Sequence, residues 1–336
     1  MKNKTNLFIV KKILLPVFAI FTLVLLFSRC ANDSSGTSTE TNFSKLKGKA
    51  LSSITQNFHF NAGSGYVSFT TIKGVNISFN SDDLTLNGNP VTGQVNLKFI
   101  EIFDGATMLT TGMHTMGLMP DGKKAVMNSA GEFYINATKN GQQLELSSDI
   151  QLIITSDLTD DVGGNPDMTL WNFAEEDSVW VQQEPNPIGI AGVFLGNEQI
   201  VNGSNARNYY AFINNFGWTN VDCFYEDPRP RTTILAAVPN GYNYQNSAVY
   251  LHYDGQGNAL ANLDTYDTAT GLFSEHYGQI PIGLVCHVIF TTEDNGKWRY
   301  AIKATTIAAG DIYNFTTAET TVGTQAQMIA AIDALP

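Results

Sequence analysis

Short segments of alternating apolar and polar residues, separated by turn sequences, constrain the fold of this chain more than any other feature. Residues 54–60 read Ile-Thr-Gln-Asn-Phe-His-Phe, and alternation with a period of two is typical of a half-buried strand. Gly- and Asn-rich turns separate this segment from similar ones at residues 66–71, 75–79, 95–102, 132–138, 144–146 and 151–155. Strands at such regular spacing predict a β-sandwich or barrel rather than βαβ units.

The β pattern resumes after a proline-rich break. Residues 184–187 read Glu-Pro-Asn-Pro, and two prolines in three residues prevent regular structure. Further strands are predicted at residues 208–216, 232–238, 247–253, 284–291 and 298–305. One helix is predicted, over residues 324–335, where a threonine can cap an apolar face with 3–4 spacing. We therefore predict an all-β protein of two β-sandwich-like domains, residues 54–184 and 188–336, with a short C-terminal helix.

The N-terminus carries a targeting signal. Four lysines precede an apolar run at residues 13–27, and Ser28-Arg29-Cys30 follows. The run is shorter than the roughly 20 apolar residues of a membrane span, and the order of basic and apolar regions is that of a secretory signal. The segment resembles a bacterial lipoprotein signal, which implies a signal peptide at residues 1–29, lipidation of Cys30 and a flexible tether over residues 30–53.

Arg29 departs from the lipoprotein pattern, which prefers a small residue before the cysteine. A soluble secreted protein and an uncleaved anchor with Arg29 as its stop charge are the alternatives. All three predict export, and the leading prediction is a lipid-anchored protein of the bacterial cell envelope, attached to the membrane through its N-terminal lipid.

Charge excludes a nucleic-acid partner. The 336 residues contain 19 Lys+Arg and 31 Asp+Glu, a net charge of −12. Cleavage before Cys30 would leave 14 basic residues against the same 31 acidic ones, a net charge of −17. Nucleic-acid binding needs a basic face to neutralise phosphates.

Residues 54–182 contain four motif segments: Lys73-Gly74-Val75-Asn76-Ile77-Ser78-Phe79, residues 87–95 (Asn-Gly-Asn-Pro-Val-Thr-Gly-Gln-Val), Phe99-Ile100-Glu101-Ile102 and residues 131–137 (Gly-Glu-Phe-Tyr-Ile-Asn-Ala). These segments resemble a largely uncharacterised family of exported Bacteroidetes lipoproteins. The stretch is also weakly similar to ZU5-type domains. The resemblance implies a β-sandwich and a Bacteroidetes host, and it implies no catalytic residues.

Motifs of known enzyme chemistry are missing from the sequence. It contains no GxSxG motif and no histidine pair at a metal-ligand spacing. Cys286 and His287 are adjacent, so on a strand they point to opposite faces and cannot form a dyad. Cys223 and Cys286 either form a disulfide that closes a loop of about 60 residues or remain buried free thiols.

One loop and one aromatic cluster are candidate binding features. Asp157, Asp160, Asp161 and Asp167 share a loop with two glycines, and their oxygens could bind calcium. The alternative is a solvated acidic loop. Aromatic residues cluster between residues 209 and 225, and a ligand surface there would include Tyr209, Trp218, Tyr225 and nearby Arg229. Aromatic platforms hold sugar rings, but the same residues also fill sandwich cores.

These features favour a non-enzymatic module for binding, adhesion or envelope structure, with a glycan or an envelope protein as partner. The alternative function is a carbohydrate hydrolase of the envelope that uses loop carboxylates. A third hypothesis makes residues 54–182 a spacer.

Overall fold

Strands account for 50% and helices for 13% of a computed structural model, which describes residues 41–159, 163–184, 192–197, 199–201, 204–275 and 277–336. The predicted all-β class with sandwich-like sheets is confirmed. The C-terminal helix is confirmed too, over Gln325–Asp333. Within the described residues, no helix has the length and apolar content that crossing a membrane requires.

The strands are numbered in chain order. The first ten are β1 (Gln56–Ala62), β2 (Tyr66–Thr70), β3 (Asn76–Asn80), β4 (Leu84–Leu86), β5 (Asn89–Pro90), β6 (Gly93–Ile102), β7 (Met116–Leu118), β8 (Lys124–Lys139), β9 (Gln142–Gln143) and β10 (Glu145–Leu146). The next ten are β11 (Ile150–Thr155), β12 (Thr169–Ala174), β13 (Val179–Gln182), β14 (Gly192–Leu195), β15 (Gln199–Val201), β16 (Ser204–Ala206), β17 (Asn208–Ile213), β18 (Gly217–Phe224), β19 (Arg231–Thr232) and β20 (Leu235–Ala237).

The remaining strands are β21 (Ser247–Tyr253), β22 (Leu260–Asn262), β23 (Thr265–Asp267), β24 (Leu272–Ser274), β25 (Ile280–Pro281), β26 (Val285–Asp294), β27 (Lys297–Thr306), β28 (Ile312–Asn314) and β29 (Thr321–Gly323). The α-helices are α1 (Asn42–Ser53), α2 (Gly105–Thr111) and α3 (Gln325–Asp333). Three single 3₁₀ turns cover Ser81–Asp83, Ser156–Leu158 and Thr317–Glu319.

Four sheets form most of the structure. The large sheet has the order β1-β6-β8-β18-β12-β13-β7, with β9 also paired to β8, and the outer sheet has the order β14-β17-β11-β3-β2. The C-terminal sheet has the order β22-β21-β26-β27-β29, and the small sheet has the order β23-β24-β20-β28. One hydrophobic core contains side chains of the large and outer sheets, and a second contains side chains of the C-terminal and small sheets.

A third core joins the two sandwiches. It contains side chains from the second face of the large sheet, from all three helices and from the C-terminal sheet. The large sheet is therefore buried on both faces. In β6, Leu97 and Phe99 belong to the first core while Ile100 and Ile102 belong to the third. Burying each such side chain contributes about 1.5–3 kcal/mol. The described residues form one compact unit.

The predicted domain boundary at residues 184–188 is wrong. β17 pairs with β11, and β18 pairs with both β8 and β12, so residues 208–224 complete the first sandwich. The change from one sandwich to the other comes after β18. The sequence could not show this, because hydrogen bonding between strands depends on which edges meet and not on the position of a proline-rich break.

The predicted flexible tether is corrected from residue 42 onward, where α1 begins. Thr41 caps this helix, its hydroxyl accepting a hydrogen bond of 3.1 Å from the amide of Ser44. Phe43, Leu46 and Ala50 are buried, a stripe with helical spacing. The Phe43 ring packs edge-on against Trp298, with centroids 5.9 Å apart. The rest of the predicted tether, and the predicted signal peptide with Cys30, lie outside the described residues.

A bulge in β8 interrupts the centre of the large sheet. Asn220 pairs with Glu132, but Asp222 pairs with Ser129, so β8 holds one extra residue. Gly131 provides it at a φ of +130°, a conformation that other residues rarely adopt. A Cβ on Gly131 would lie 2.5 Å from Cζ of Phe133. The backbone of the bulge therefore requires glycine at residue 131.

Candidate functional site

A polar groove lies beside β12 and the end of β18. Its cavity of about 410 Å³ is lined by Asn128, Asn165, Asp167, Thr169, Trp171, Gln182, Cys223, Phe224, Tyr225, Glu226 and Gln256. We call this cavity the amide groove, because four of its lining residues are Asn or Gln. Most of its walls come from strands of the large sheet, so a rigid scaffold holds them.

The aromatic side chains of the amide groove are held in place by packing. Trp171 is only 2% exposed, and its indole N–H donates a 3.0 Å hydrogen bond to the carbonyl of Asp222. Its ring meets Phe224 edge-on at 5.2 Å. Tyr225 is half-buried and meets Tyr253 edge-on, also at 5.2 Å. Tyr225 therefore offers a preorganised apolar surface at the rim.

Amide side chains supply hydrogen-bonding groups around these rings. Asn165 donates from Nδ2 to the Cys223 sulfur at 3.3 Å, and Gln182 donates from Nε2 to the Thr169 hydroxyl at 3.2 Å. The Oδ1 of Asn128 is buried and accepts no hydrogen bond from the residues that the structure describes. A buried acceptor without a donor is costly, so a ligand donor at this position would be stabilised.

A second cavity shares Phe224, Tyr225 and Glu226 with the amide groove. Its volume is about 470 Å³, and its lining includes Met119, Pro228 and Arg231. Arg229 is next to it and donates from Nε to both Asp227 carboxylate oxygens, at 2.9 and 3.1 Å. These hydrogen bonds lower the pKa of Asp227 to about 2. Arg229 is therefore a salt-bridge partner of Asp227, which is the alternative that the sequence leaves open beside a place on a ligand surface.

The predicted aromatic surface is only partly brought together. Tyr225 lines the amide groove. Trp218 lies elsewhere, half-buried against Tyr134 with ring centroids 5.4 Å apart. Tyr209 is wrong as a surface residue, because it is 0% exposed and its hydroxyl accepts a 2.6 Å hydrogen bond from the amide of Asn165. Alternation along β17 turns Tyr209 into the first core.

The sequence leaves open whether Cys223 and Cys286 form a disulfide or remain buried thiols. The structure decides against the disulfide between them. Cys223 lies at the edge of the first core, while Cys286 is 0% exposed in the second core, so different sandwiches hold them. Burial raises the pKa of Cys286 to about 12, as expected for an inert structural thiol.

The predicted calcium loop lies partly outside the described residues, which exclude Asp160 and Asp161. Asp157 is half-buried in a 3₁₀ turn, and Asp167 is exposed at the amide groove. The amide of Asp167 donates to Oδ1 of Asn165 at 2.9 Å, a local turn that needs no ion. Calcium binding here stays a prediction.

Two buried carboxyl groups were not anticipated from the sequence. Glu132 and Asp222 are both 0% exposed in the large sheet. Burial raises the pKa of Glu132 to about 8 and raises that of Asp222 well above its usual range. Oδ1 of Asn220 accepts a 2.8 Å hydrogen bond from the Ser129 hydroxyl, and its Nδ2 donates to Asp222 at 2.5 Å. The two carboxyl groups are sealed from solvent, so they bear on stability rather than on ligand chemistry.

Sequence reasoning also missed the amides of the groove. Asn128, Gln182 and Gln256 are far apart along the chain. The pairing of β8, β18, β12 and β13 brings Asn128 and Gln182 to one sheet, and the loop between β21 and β22 adds Gln256. No local pattern marks them. Protein-family models give no match to this chain, and a search of the curated proteins finds no significantly similar sequence.

Proposed function

We propose that this chain is an exported, lipid-anchored protein of the bacterial envelope that binds a glycan without transforming it. Export and anchoring rest on the lysine-rich and apolar N-terminus and on Cys30. Glycan binding rests on one observation, the amide groove with its rigid aromatic rim. Amides both donate and accept hydrogen bonds, which suits sugar hydroxyls, and Tyr225 offers a ring face for the apolar side of a sugar.

The charge of the groove agrees with a neutral or hydroxyl-rich ligand. Asp167 and Glu226 are the carboxylates that line it, and both are exposed. Among the residues that the structure describes, no lysine or arginine lines the groove, so an acidic ligand would meet repulsion without a compensating cation. A sugar presents hydroxyl groups that can donate to the carboxylates and to Asn128.

The test is glycan-array binding by the full-length protein, purified in detergent. We expect binding that falls at least tenfold in Tyr225→Ala and in Gln182→Ala, a loss of about 1.4 kcal/mol or more. Tyr244→Ala is the matched control, since Tyr244 is 58% exposed and does not line the amide groove. Thermal unfolding of each variant separates loss of the site from loss of the fold. An array without signal, or binding that both groove variants retain, would refute the proposal.

Reaction products distinguish the alternative function, a carbohydrate hydrolase, from glycan binding without hydrolysis. Asp167 and Glu226 line the same groove, and glycosidases use two carboxyl groups that flank the scissile bond. If the protein released reducing sugars from a bound glycan, and Asp167→Asn and Glu226→Gln each abolished the release, the alternative would replace simple binding.

A further inference from the structure

Two histidines and an aspartate meet where β21 and β26 lie side by side. His252 and His287 are directly paired across these antiparallel strands, so both imidazoles project from the same face. Asp254 follows β21, and its Oδ1 lies 2.7 Å from Nδ1 of His287 and 3.6 Å from Nδ1 of His252. One potential ligand atom from each residue lies within 4.8 Å of the other two.

The spacing matches that of a small tetrahedral metal ion. Zinc binds imidazole nitrogen and carboxylate oxygen at about 2.0–2.2 Å, which places neighbouring ligand atoms about 3.3 Å apart. The two measured separations, 2.7 and 3.6 Å, fall on either side of that value. Small rotations of the side chains would equalise them. Calcium is a poor candidate, because it takes six to eight oxygen ligands, whereas two of these three donors are imidazoles.

The three side chains are shielded without being sealed. The exposed fractions of the His252, Asp254 and His287 side chains are 5%, 11% and 12%. Partial burial strengthens the attraction between a carboxylate and a cation. It also restricts the three side chains to few rotamers, so that binding an ion costs little further conformational entropy.

A cleft of about 460 Å³ gives access to His252. It is lined also by Asp104, Gly255 and Asp333. Burial and the nearby charge of Asp104 both raise the pKa of Asp333. Lys73 pairs with Asp104 at 3.4 Å. The two acidic groups make the entrance attractive to a cation.

We propose that His252, Asp254 and His287 form a binding site for a divalent transition-metal ion, with zinc as the best match. The three residues supply three ligands, and the open fourth position would hold water or a group from the cleft. Binding requires neutral imidazoles and an ionised carboxylate, so the ion displaces any proton held between His287 and Asp254. The site is separate from the amide groove.

A bound ion would fix a loop of the second sandwich that forms hydrogen bonds to the first sandwich. Residues 254–259 connect β21 to β22, and Gly257 in this loop accepts a 2.7 Å hydrogen bond from the amide of Gly105 at the start of α2. Asn258 donates to the carbonyl of Ser129 in the large sheet. Because Asp254 begins the loop, coordination would fix it to β26. We therefore expect zinc to stabilise the protein as a whole.

The test uses the full-length protein in detergent, purified without a polyhistidine tag and stripped with a chelator. Calorimetric titration with zinc chloride should give one ion per chain, and cobalt(II) should give the visible absorption of a tetrahedral site. Zinc at 100 times its Kd should raise Tm by about 5 °C. Asp254→Asn and His287→Gln should each weaken zinc binding at least tenfold and remove the cobalt absorption.

His59→Gln is the matched control, because His59 is exposed on β1 and forms no such cluster with the other residues that the structure describes. It should bind zinc as the unaltered protein does. The Asp254→Asn variant keeps the size and shape of the side chain, so the fold should survive, and thermal unfolding without metal checks this. Unchanged zinc affinity in Asp254→Asn and His287→Gln, or no saturable binding by the unaltered protein, would overturn the proposal and leave a hydrogen-bonded cluster.

Discussion

Replacing Glu132 with glutamine should make the protein more stable, and increasingly so as the pH rises. Glu132 lies in the middle of the large sheet, paired with Ile102 on β6 and Asn220 on β18. Its side chain is 0% exposed, and neither carboxyl oxygen accepts a hydrogen bond from the residues described. Burial, and to a lesser extent the charge of Asp104, raise its pKa from 4.5 to about 8.

The sign of the effect follows from the protons bound in each state. Between pH 4.5 and about 8 the folded protein keeps the Glu132 proton, whereas the unfolded chain has lost it. The folded state then binds more protons, so the free energy of unfolding decreases as the pH rises. Each pKa unit corresponds to about 1.4 kcal/mol. The whole shift therefore amounts to about 5 kcal/mol, comparable to the total stability of many domains.

Glutamine does not titrate, so the Glu132→Gln variant should not show this decrease in the free energy of unfolding with rising pH. The stability difference between variant and unaltered protein should grow by about 1.4 kcal/mol per pH unit from pH 5 to 8, about 4 kcal/mol in all. It should become constant above the folded-state pKa. Urea denaturation followed by tryptophan fluorescence measures it, since Trp171, Trp180 and Trp298 are buried. Taking the difference also removes most of the contribution of Asp222, which the two proteins share.

Glu101→Gln is the matched control. Glu101 is also buried, but it accepts hydrogen bonds from Gln56 at 2.9 Å, Thr71 at 2.6 Å and the amide of Lys73 at 2.9 Å. An amide there would turn a donor toward these donors, so the variant should be less stable than the unaltered protein. If the Glu132→Gln difference were the same at pH 5 and pH 8, the carboxyl group would not be held protonated, and the reasoning would be refuted.

Two further substitutions test the packing. Phe43→Ala removes a buried ring that packs against Trp298, and we expect urea denaturation to show a free energy of unfolding lower by about 3 kcal/mol. Lys45→Ala, on the exposed side of α1, should change it by less than about 0.5 kcal/mol. Equal effects of the two substitutions would show that α1 is not part of the core. Gly131→Ala should lower the free energy of unfolding by at least about 2 kcal/mol, because its Cβ would lie 2.5 Å from Phe133 at a φ of +130°. An unchanged urea midpoint would contradict the strain assigned to the bulge.

Residue patterns along the chain predict the strands and helices whose evidence is local. Alternation predicts a strand wherever one side faces a core, and β1 with Phe58 and Phe60 follows that rule. The cap and apolar face of α3 are equally local, with Thr324 accepting from the amide of Gln327. Helix α1 was missed because only three of its residues are buried, within a segment that is rich in lysine and serine.

Which strands share a sheet, and which side chains meet, depends on long-range packing that no local pattern records. The amide groove draws on residues 128 to 256, and the metal-ligand cluster needs His252 opposite His287. His252 lies between Leu251 and Tyr253, and alternation along this strand predicts a solvent-facing side chain. It is instead 4% exposed, because the C-terminal sheet is covered on both faces. Alternation distinguishes the two faces of a strand, and only the packing of the layers determines whether a face meets water or another core.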